Sequence, residues 1–341
     1  MNKAPSILFI TGPSEDYLAD GILHGLRSLY GSSVVDYPKC EPLYKNCSDA
    51  SFSKVRGHGF TLYKTLDDID VDRFDILNSL RSGIFDLVIF GNIQRSYAIF
   101  VDWLPWLQPK TTILLDGEDT QSIAPYAGHW WRRPEYWLLP KAHKQFIYFK
   151  REWGPTTLKY RTYRLLPFVL CNLFYKRLHL RTISFSIPES HIVKSLSKKT
   201  KEFAAYIVDP EVAALFAETS SKYRFTSETE YYGDLQTSRF GITTKRAGWD
   251  CLRHYELAAN GCVPCFRDLD LKPTKCAPHG LGTENCISYH SVDDLLEKIR
   301  LLTPARYEEL QAGCIAWAKA NTTVAKARML MESNRSNINR D

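Results

Sequence analysis

Residues 240–268, FGITTKRAGWDCLRHYELAANGCVPCFRD, combine two cations, a carboxylate and the start of a predicted helix. The runs 240–244 and 263–266 are short and apolar or β-branched, which is typical of strands. Between them, Asp250 is a suitable N-cap, and Gly261 suits the left-handed conformation that ends many helices. The order strand, loop, helix and strand predicts a βαβ unit.

The loop before this helix carries the cations Lys245 and Arg246. A helix start attracts anions, because its first backbone N–H groups have no partner within the helix and the helix dipole is positive there. Glu256 lies in the predicted helix, with Arg253 three residues before it on the same face. These residues predict a site for a phosphorylated ligand that is rich in hydroxyl groups.

The run 253–264, RHYELAANGCVP, resembles the donor-site signature of GT-B glycosyltransferases, in which a Glu is followed by small residues and then by Gly-x-Pro or Gly-Cys-x-Pro. The most similar branches are the exostosin-like enzymes and the bacterial enzymes of cell-surface glycan synthesis. The resemblance implies that Glu256 binds the ribose hydroxyls of a nucleotide sugar and that nearby cations bind its diphosphate. The donor-binding residues predicted on this basis are Lys245, Arg246, Gly248, Trp249, Arg253, Tyr255 and Glu256.

Retaining members of this family often have a second Glu eight positions before the first, and that position is Gly248 here. The departure favours inversion over retention. The resemblance also implies that no cofactor and no essential metal are needed, since side chains and the helix dipole bind the phosphates.

Four cysteines are candidates for a zinc site. The pair Cys262 and Cys265 has C-x-x-C spacing, but it brackets a predicted buried strand, and Cys276 and Cys286 do not form a second such pair. Buried thiols are therefore favoured over a zinc site.

Three carboxylates, Asp116, Glu118 and Asp119, follow the apolar run 111–115. The carboxyl end of a buried parallel strand is where α/β sheets bind ligands. Crowded carboxylates raise the pKa of one another, which suits a general base that deprotonates a sugar hydroxyl. These three residues are therefore the predicted catalytic residues, with a helix N-cap cluster as the alternative interpretation.

The chain has 341 residues, a formal net charge of +6 and nine cysteines. The odd cysteine count, and the absence of a signal-peptide pattern before the strand-like run 7–10, predict reduced thiols in a cytoplasmic protein. No apolar run reaches the roughly 18 residues of a membrane span. The charge suggests anionic partners, but without a nucleic-acid-binding motif a nucleic-acid partner is not expected.

Strand-like and helical runs alternate along the chain, which predicts an α/β protein. A strand at 7–10, an amphipathic helix at 16–29 and a strand at 34–38 open a doubly wound domain. We expect two Rossmann-like domains facing across a cleft, as in GT-B enzymes. The expected divisions are an acceptor-side domain at 1–185, a nucleotide-sugar-binding domain at 186–320 and a C-terminal tail at 321–341, polar beyond Glu332.

Residues 159–181 carry an apolar centre flanked by cations and no acid. Such a segment can lie on an anionic membrane surface, so we predict peripheral contact with the inner face of the membrane, with a buried helix as the alternative. The cations are Lys159, Arg161, Arg164, Lys176, Arg177 and Arg181.

These features predict a glycosyltransferase that moves a sugar from a nucleotide-sugar donor to a hydroxyl of a glycan or lipid-linked acceptor in bacterial surface polysaccharide synthesis. The alternatives are a protein that binds nucleotide sugars without catalysis, and a nucleic-acid-binding protein.

Overall fold

The structure is a computed structural model that describes residues 4–12, 14–53, 55–123, 145–157, 179–216, 219–223 and 225–338. Most of the basic and apolar segment at 159–181 lies outside these ranges, so the predicted membrane contact stays a prediction. The described residues form two compact units. The first contains the chain up to Ser184, Lys275–Ala277 and the segment from Val324, and the second contains Phe185–Thr274 and Pro278–Thr323.

The first unit is built on a parallel sheet with the strand order β2-β1-β3-β4-β5-β6. Its central strands are apolar runs buried on both faces, as expected where helices cover a parallel sheet. The strands are β1 Ile7–Ile10, β2 Val34–Tyr37, β3 Leu87–Phe90, β4 Thr112–Asp116, β5 Ile147–Lys150 and β6 Leu180–Thr182.

The first helix of this unit begins where Asp16 accepts hydrogen bonds from the backbone N–H groups of Leu18 and Ala19, each at 3.0 Å. Its apolar face, with Ile22, Leu23 and Leu26, is fully buried. The helices of the unit before its long gap are α1 Tyr17–Tyr30, α2 Asp49–Phe52, α3 Ile76–Arg81 and α4 Tyr97–Trp103.

The second unit has a smaller parallel sheet with the strand order β10-β9-β8-β7. Its strands are β7 Lys201–Phe203, β8 Ser238–Thr244, β9 Val263–Arg267 and β10 Ile287–Tyr289. Its helices are α5 Pro210–Ala213, α6 Glu228–Thr237, α7 Leu252–Ala259, α8 Val292–Arg300 and α9 Pro304–Ala320. Two parallel sheets with intervening helices confirm the expected α/β class with two Rossmann-like domains.

The βαβ unit predicted at 240–268 is present as β8, α7 and β9. Helix α7 packs closely on β8 at Gly241, where a Cβ atom would lie 2.1 Å from Leu257 Cδ2. The helix ends before Gly261, whose φ of +62° is the left-handed conformation expected there. The N-cap prediction is wrong: Cys251 occupies that position, and the Asp250 carboxylate binds other partners.

The segment expected to be a C-terminal tail contains a further helix, α10, at Thr323–Ile338. Ala327, Leu330 and Met331 are buried on one side of it. Spacings of three and four residues bring these apolar side chains to one helix face, and their burial stabilises the helix. The many polar residues between them made this face hard to recognise from the sequence.

Candidate functional site

The loop between β8 and α7 presents two exposed cations at the carboxyl end of a strand. Lys245 and Arg246 are both exposed. The Arg246 N–H donates to the Gly248 carbonyl at 3.0 Å, which closes a tight turn, and Lys245 Nζ lies 5.6 Å from the centre of the Trp249 ring. The predicted phosphate-binding residues therefore lie together, open to solvent, immediately before the start of α7.

A buried carboxylate anchors this turn to the body of the second unit. Asp250 is 4% exposed and accepts hydrogen bonds from the Phe185 N–H at 2.7 Å and the Tyr255 hydroxyl at 3.0 Å. Tyr255 is fully buried, with its ring 4.7 Å from that of Trp317. Tyr255, one of the predicted donor-binding residues, therefore lies in the core, with its hydroxyl bound to Asp250.

His254 fixes the backbone of the same turn. Its Nε2 lies 3.0 Å from the Trp249 carbonyl, which can only accept, so Nε2 carries a proton, and its Nδ1 lies 3.0 Å from the Thr243 hydroxyl. The ring is stacked on Phe266 at 4.7 Å and is fully buried. The residue therefore ties the end of β8 to the start of α7.

The Glu256 carboxylate is held by a tyrosine from α6. The Tyr231 hydroxyl donates to Glu256 Oε2 at 2.8 Å, and Glu256 is 8% exposed. Burial, and then the charge of Glu256, raise the pKa of Tyr231 well above its ordinary value, so the phenol remains a donor. This contact fixes the orientation of a carboxylate that lies about one turn after the start of α7.

Three tyrosines, Tyr206, Tyr223 and Tyr231, connect Arg253 to Glu256 through successive contacts. We call these five side chains the five-residue ring. The Arg253 guanidinium lies over the Tyr206 ring at 4.5 Å, and Tyr206 meets Tyr223 edge to face at 5.0 Å. Tyr223 meets Tyr231 at 5.7 Å, and Tyr231 binds Glu256, one turn along α7 from Arg253. Sequence reasoning missed the tyrosines, because nothing in their local pattern distinguishes them from core residues.

In the first unit, the three predicted catalytic carboxylates differ in their surroundings. The Asp116 side chain is fully buried and forms an ion pair with Lys150 Nζ at 2.9 Å, its register partner on β5. The Gln94 amide, at 3.0 Å, and the Tyr148 hydroxyl also donate to it. The Asp116 carboxylate is therefore buried and engaged in an ion pair and two hydrogen bonds.

The Glu118 side chain is more accessible than that of Asp116, and two hydrogen bonds fix its orientation. Its side chain is 29% exposed, and its Oε1 accepts from Arg95 Nε at 2.7 Å and Asn92 Nδ2 at 2.9 Å. Since both bonds end on Oε1, Oε2 has no hydrogen-bond partner among the described residues. Asp119, with its side chain 52% exposed, forms an ion pair with Arg151.

Neighbouring carboxylates were expected to raise the pKa of Glu118, and this expectation is wrong. Partial burial alone would raise the pKa, but the hydrogen bond and charge of Arg95, with the Asn92 hydrogen bond, outweigh it and lower the pKa of Glu118. The carboxylates of this cluster lie beside cations, which sequence spacing did not reveal. The carboxylate of Glu118 is therefore held ionised.

Asp20, a residue that sequence reasoning did not single out, lies buried on α1 with an unusual proton affinity. Burial raises its pKa to about 7, although hydrogen bonds from the Tyr63 hydroxyl and the Asp16 N–H partly oppose this. Between the ordinary pKa of 3.8 and about 7, the folded protein binds more protons at this site than the unfolded chain. Stability is therefore lost as the pH rises through this window.

Replacing Asp20 with asparagine should remove this dependence. The free energy of unfolding of Asp20→Asn relative to wild type is expected to rise by about 2–3 kcal/mol between pH 5 and pH 8. The amide can still accept from Tyr63 and can donate to the Cys40 sulfur, which lies 3.5 Å from the carboxylate. Urea unfolding at several pH values measures this, and a difference that is constant with pH would contradict the assignment.

Among the described residues, no group of three or more His, Cys, Asp or Glu side chains has an arrangement that could hold a metal ion. Cys262, Cys265, Cys276 and Cys286 are all buried free thiols. Within the same ranges, no helix has the length and apolar character needed to cross a membrane.

No protein-family model and no curated protein matches this sequence. Solved structures of HepE from Anabaena do match the fold. The HepE complex with UDP and glucose has a TM-score of 0.54 and 9% identity, over 97% of this chain and 100% of that one. The complexes with UDP and with UDP-glucose have TM-scores of 0.55 and 0.53, each at 9% identity over 97% of this chain and 100% and 99% of theirs. At this identity the likeness concerns the fold, and it agrees with the GT-B class implied by residues 253–264.

Proposed function

We propose that this protein is a glycosyltransferase that binds a nucleotide-sugar donor at the carboxyl edge of the second sheet. The observation that carries the proposal is the arrangement on α7: an exposed cationic turn precedes the helix, and an oriented carboxylate, Glu256, lies on it. This arrangement suits a diphosphate at the helix start and ribose hydroxyls at the carboxylate. HepE, which shares the fold, has been solved with UDP-glucose, and this supports uridine nucleotides as the first donors to test.

The phosphate-binding role falls to Lys245, Arg246 and the N-terminus of α7, with Gly248 and Trp249 shaping the turn. Cations at a departing diphosphate stabilise the charge that develops on it during transfer. With these groups present, we propose that transfer needs no essential metal and no cofactor.

The acceptor would bind at the carboxyl edge of the first sheet. Of the three predicted catalytic carboxylates, Glu118 is the proposed general base, because it is ionised, oriented by two donors and has Oε2 available. Asp116 supports it from the interior, and Asp119 lies at the exposed margin. A single carboxylate base that deprotonates the acceptor hydroxyl is consistent with an inverting reaction.

The acceptor is proposed to be a hydroxyl of a growing glycan or a lipid-linked sugar, in the synthesis of a bacterial surface polysaccharide. Peripheral binding to the inner face of a membrane would bring the enzyme to a lipid-linked acceptor. This part of the proposal rests on the resemblance at 253–264 and on the composition of residues 159–181.

The second candidate function is nucleotide-sugar binding without catalysis. The ion pairs of Asp116 and Asp119 favour it, since these two carboxylates are engaged structurally. The two functions differ in turnover: an enzyme releases nucleoside diphosphate from the donor, whereas a binding protein does not.

The proposal is tested by incubating the protein with a panel of nucleotide sugars and measuring release of nucleoside diphosphate, with and without oligosaccharide acceptors. We expect release from one donor, and we expect the Lys245→Met and Arg246→Met substitutions to weaken it. Binding of a nucleotide sugar without release would favour the binding protein, and neither binding nor release would contradict both functions.

The ribose-binding role of Glu256 predicts a separate result. Because a hydrogen bond to a charged group contributes about 1.5–3 kcal/mol, Glu256→Gln should weaken donor binding by about 10–150-fold. The ribose does not change during transfer, so the loss should raise KM and leave kcat nearly constant. The exposed Glu297 on α8 provides the control: Glu297→Gln should leave KM unchanged, and an equal effect of the two substitutions would contradict the role of Glu256.

A further inference from the structure

The three cations near the start of α7 lie in two different environments. Lys245 and Arg246 are exposed in the turn before the helix, and Lys245 lies over the Trp249 ring. Arg253 lies in the first turn of α7, and its guanidinium is stacked on Tyr206 in the five-residue ring. If all three cations bound one diphosphate, Arg253 would not need surroundings different from those of Lys245 and Arg246.

Arg253 also carries an unused donor. Its Nε is buried and, within the part of the chain that the structure describes, has no hydrogen-bond partner. A buried donor without an acceptor is unfavourable, so native proteins rarely keep one unless a ligand or water completes it. The free donor lies next to an aromatic face and one helical turn from the carboxylate of Glu256.

The five-residue ring therefore offers three kinds of contact in one place. The partly exposed side chains of Tyr206 and Tyr223 can pack against a planar base, the Arg253 guanidinium can donate to an acceptor on that base, and the Glu256 carboxylate can accept from hydroxyls. Burial raises the pKa of Tyr223 and of Tyr231, so both phenols stay neutral. A nucleoside, with its planar base and its ribose hydroxyls, presents the complementary groups.

We propose that Arg253, stacked on Tyr206, contacts the base of the bound nucleotide, not its diphosphate, and thereby selects which base is accepted. This rests on the proposed function, which supplies the nucleotide. Arg253 would favour bases with carbonyl oxygens, such as uracil, over adenine, whose exocyclic group is an amino donor and whose only acceptors are ring nitrogens in different positions. A site that hydrogen-bonds one ligand rejects an analogue that lacks the partner group, since its own donor is then left unpaired.

The test compares dissociation constants of uridine, UMP and UDP, measured by competition calorimetry, for wild type, Arg253→Lys and Lys245→Met. Lysine keeps the positive charge but not the planar fork, so it is not a conservative replacement at a stacked site. We expect Arg253→Lys to weaken all three ligands by a similar factor, about tenfold, as for one lost hydrogen bond. Lys245→Met should leave uridine unchanged and weaken UMP and UDP, with the greater loss for UDP.

Two further measurements make the result decisive. The affinity ratio of UDP to ADP should be above one for wild type and should fall in Arg253→Lys. Tyr206→Phe keeps the aromatic face and should bind like wild type, while Tyr206→Leu should weaken all three uridine ligands; near-ultraviolet circular dichroism checks that each variant is folded. If Tyr206→Leu does not fold, the comparison of Tyr206→Phe and Arg253→Lys with wild type still decides the question.

The proposal is overturned if Arg253→Lys leaves uridine binding unchanged and weakens only the phosphorylated ligands, because Arg253 would then be a phosphate ligand. It is equally overturned if the variant keeps the preference for UDP over ADP. Absence of binding of any nucleotide to the wild type would overturn the proposed function together with this inference, and so differs from both results.

Discussion

Replacing Glu118 with glutamine is expected to lower kcat for sugar transfer by about 10²–10⁴-fold, the usual contribution of a general base. The amide can still accept from Arg95 and Asn92 through its oxygen, so the fold and the acceptor surface should persist. What is lost is the carboxylate oxygen Oε2, which is the group available to accept a proton. KM for the donor should not change, because donor binding is assigned to the second unit.

Asp119 provides the matched control for this experiment. It belongs to the same carboxylate cluster, but it is more exposed, and its oxygen is paired with Arg151. Asp119→Asn should therefore lower kcat much less than Glu118→Gln. If the order of the two effects is reversed, Asp119 is the better candidate for the base. The lowered pKa of Glu118 adds a second expectation, since activity should persist as the pH falls until the carboxylate is protonated.

Asp116→Ala is expected to destabilise the first unit by about 3–5 kcal/mol, because it leaves the ammonium group of Lys150 buried without a counter-charge. Both side chains are fully buried in the wild type, at 2.9 Å from one another. Chemical denaturation measures the loss directly. A much smaller loss would indicate that Asp116 is not the structural residue that its burial indicates.

The exposed ion pair of Lys45 and Asp67 is a suitable control, with side chains that are 58% and 78% exposed. Asp67→Asn should change stability by about 0–1 kcal/mol, since solvent screens such pairs. Replacing both buried partners, as in Asp116→Leu with Lys150→Met, should recover most of the stability lost in Asp116→Ala. Failure of the double substitution to recover stability would show that packing, and not the unpaired charge, causes the loss.

The sequence alone predicted those features that depend on local patterns. The βαβ unit at 240–268 followed from strand-type runs, a basic loop and a glycine stop, and the carboxylate cluster followed from its place after an apolar run. Both features lie within short stretches, where periodicity and turn chemistry suffice. The two-domain α/β class followed from the alternation of such stretches along the chain.

The features that sequence reasoning missed depend on long-range contacts. Asp250 does not cap its helix, because it binds the Phe185 backbone and the Tyr255 hydroxyl instead. The ion-pair partner of Asp116 is Lys150, which is remote in sequence and becomes its neighbour only when β4 and β5 pair. One signal was available: Tyr148 and Lys150 alternate on an otherwise apolar strand, so they point to one buried face.

The proposed nucleotide-sugar donor site lies at the start of α7. Thermal unfolding in the presence of a panel of nucleoside diphosphates tests it most directly, with the Lys245→Met, Arg246→Met double variant measured in parallel. At 100 times its dissociation constant, the correct nucleotide should add about 2.7 kcal/mol of stability to the wild type and much less to the variant. If no nucleotide raises the melting temperature, or if one raises it equally in both proteins, the donor site is not at this turn.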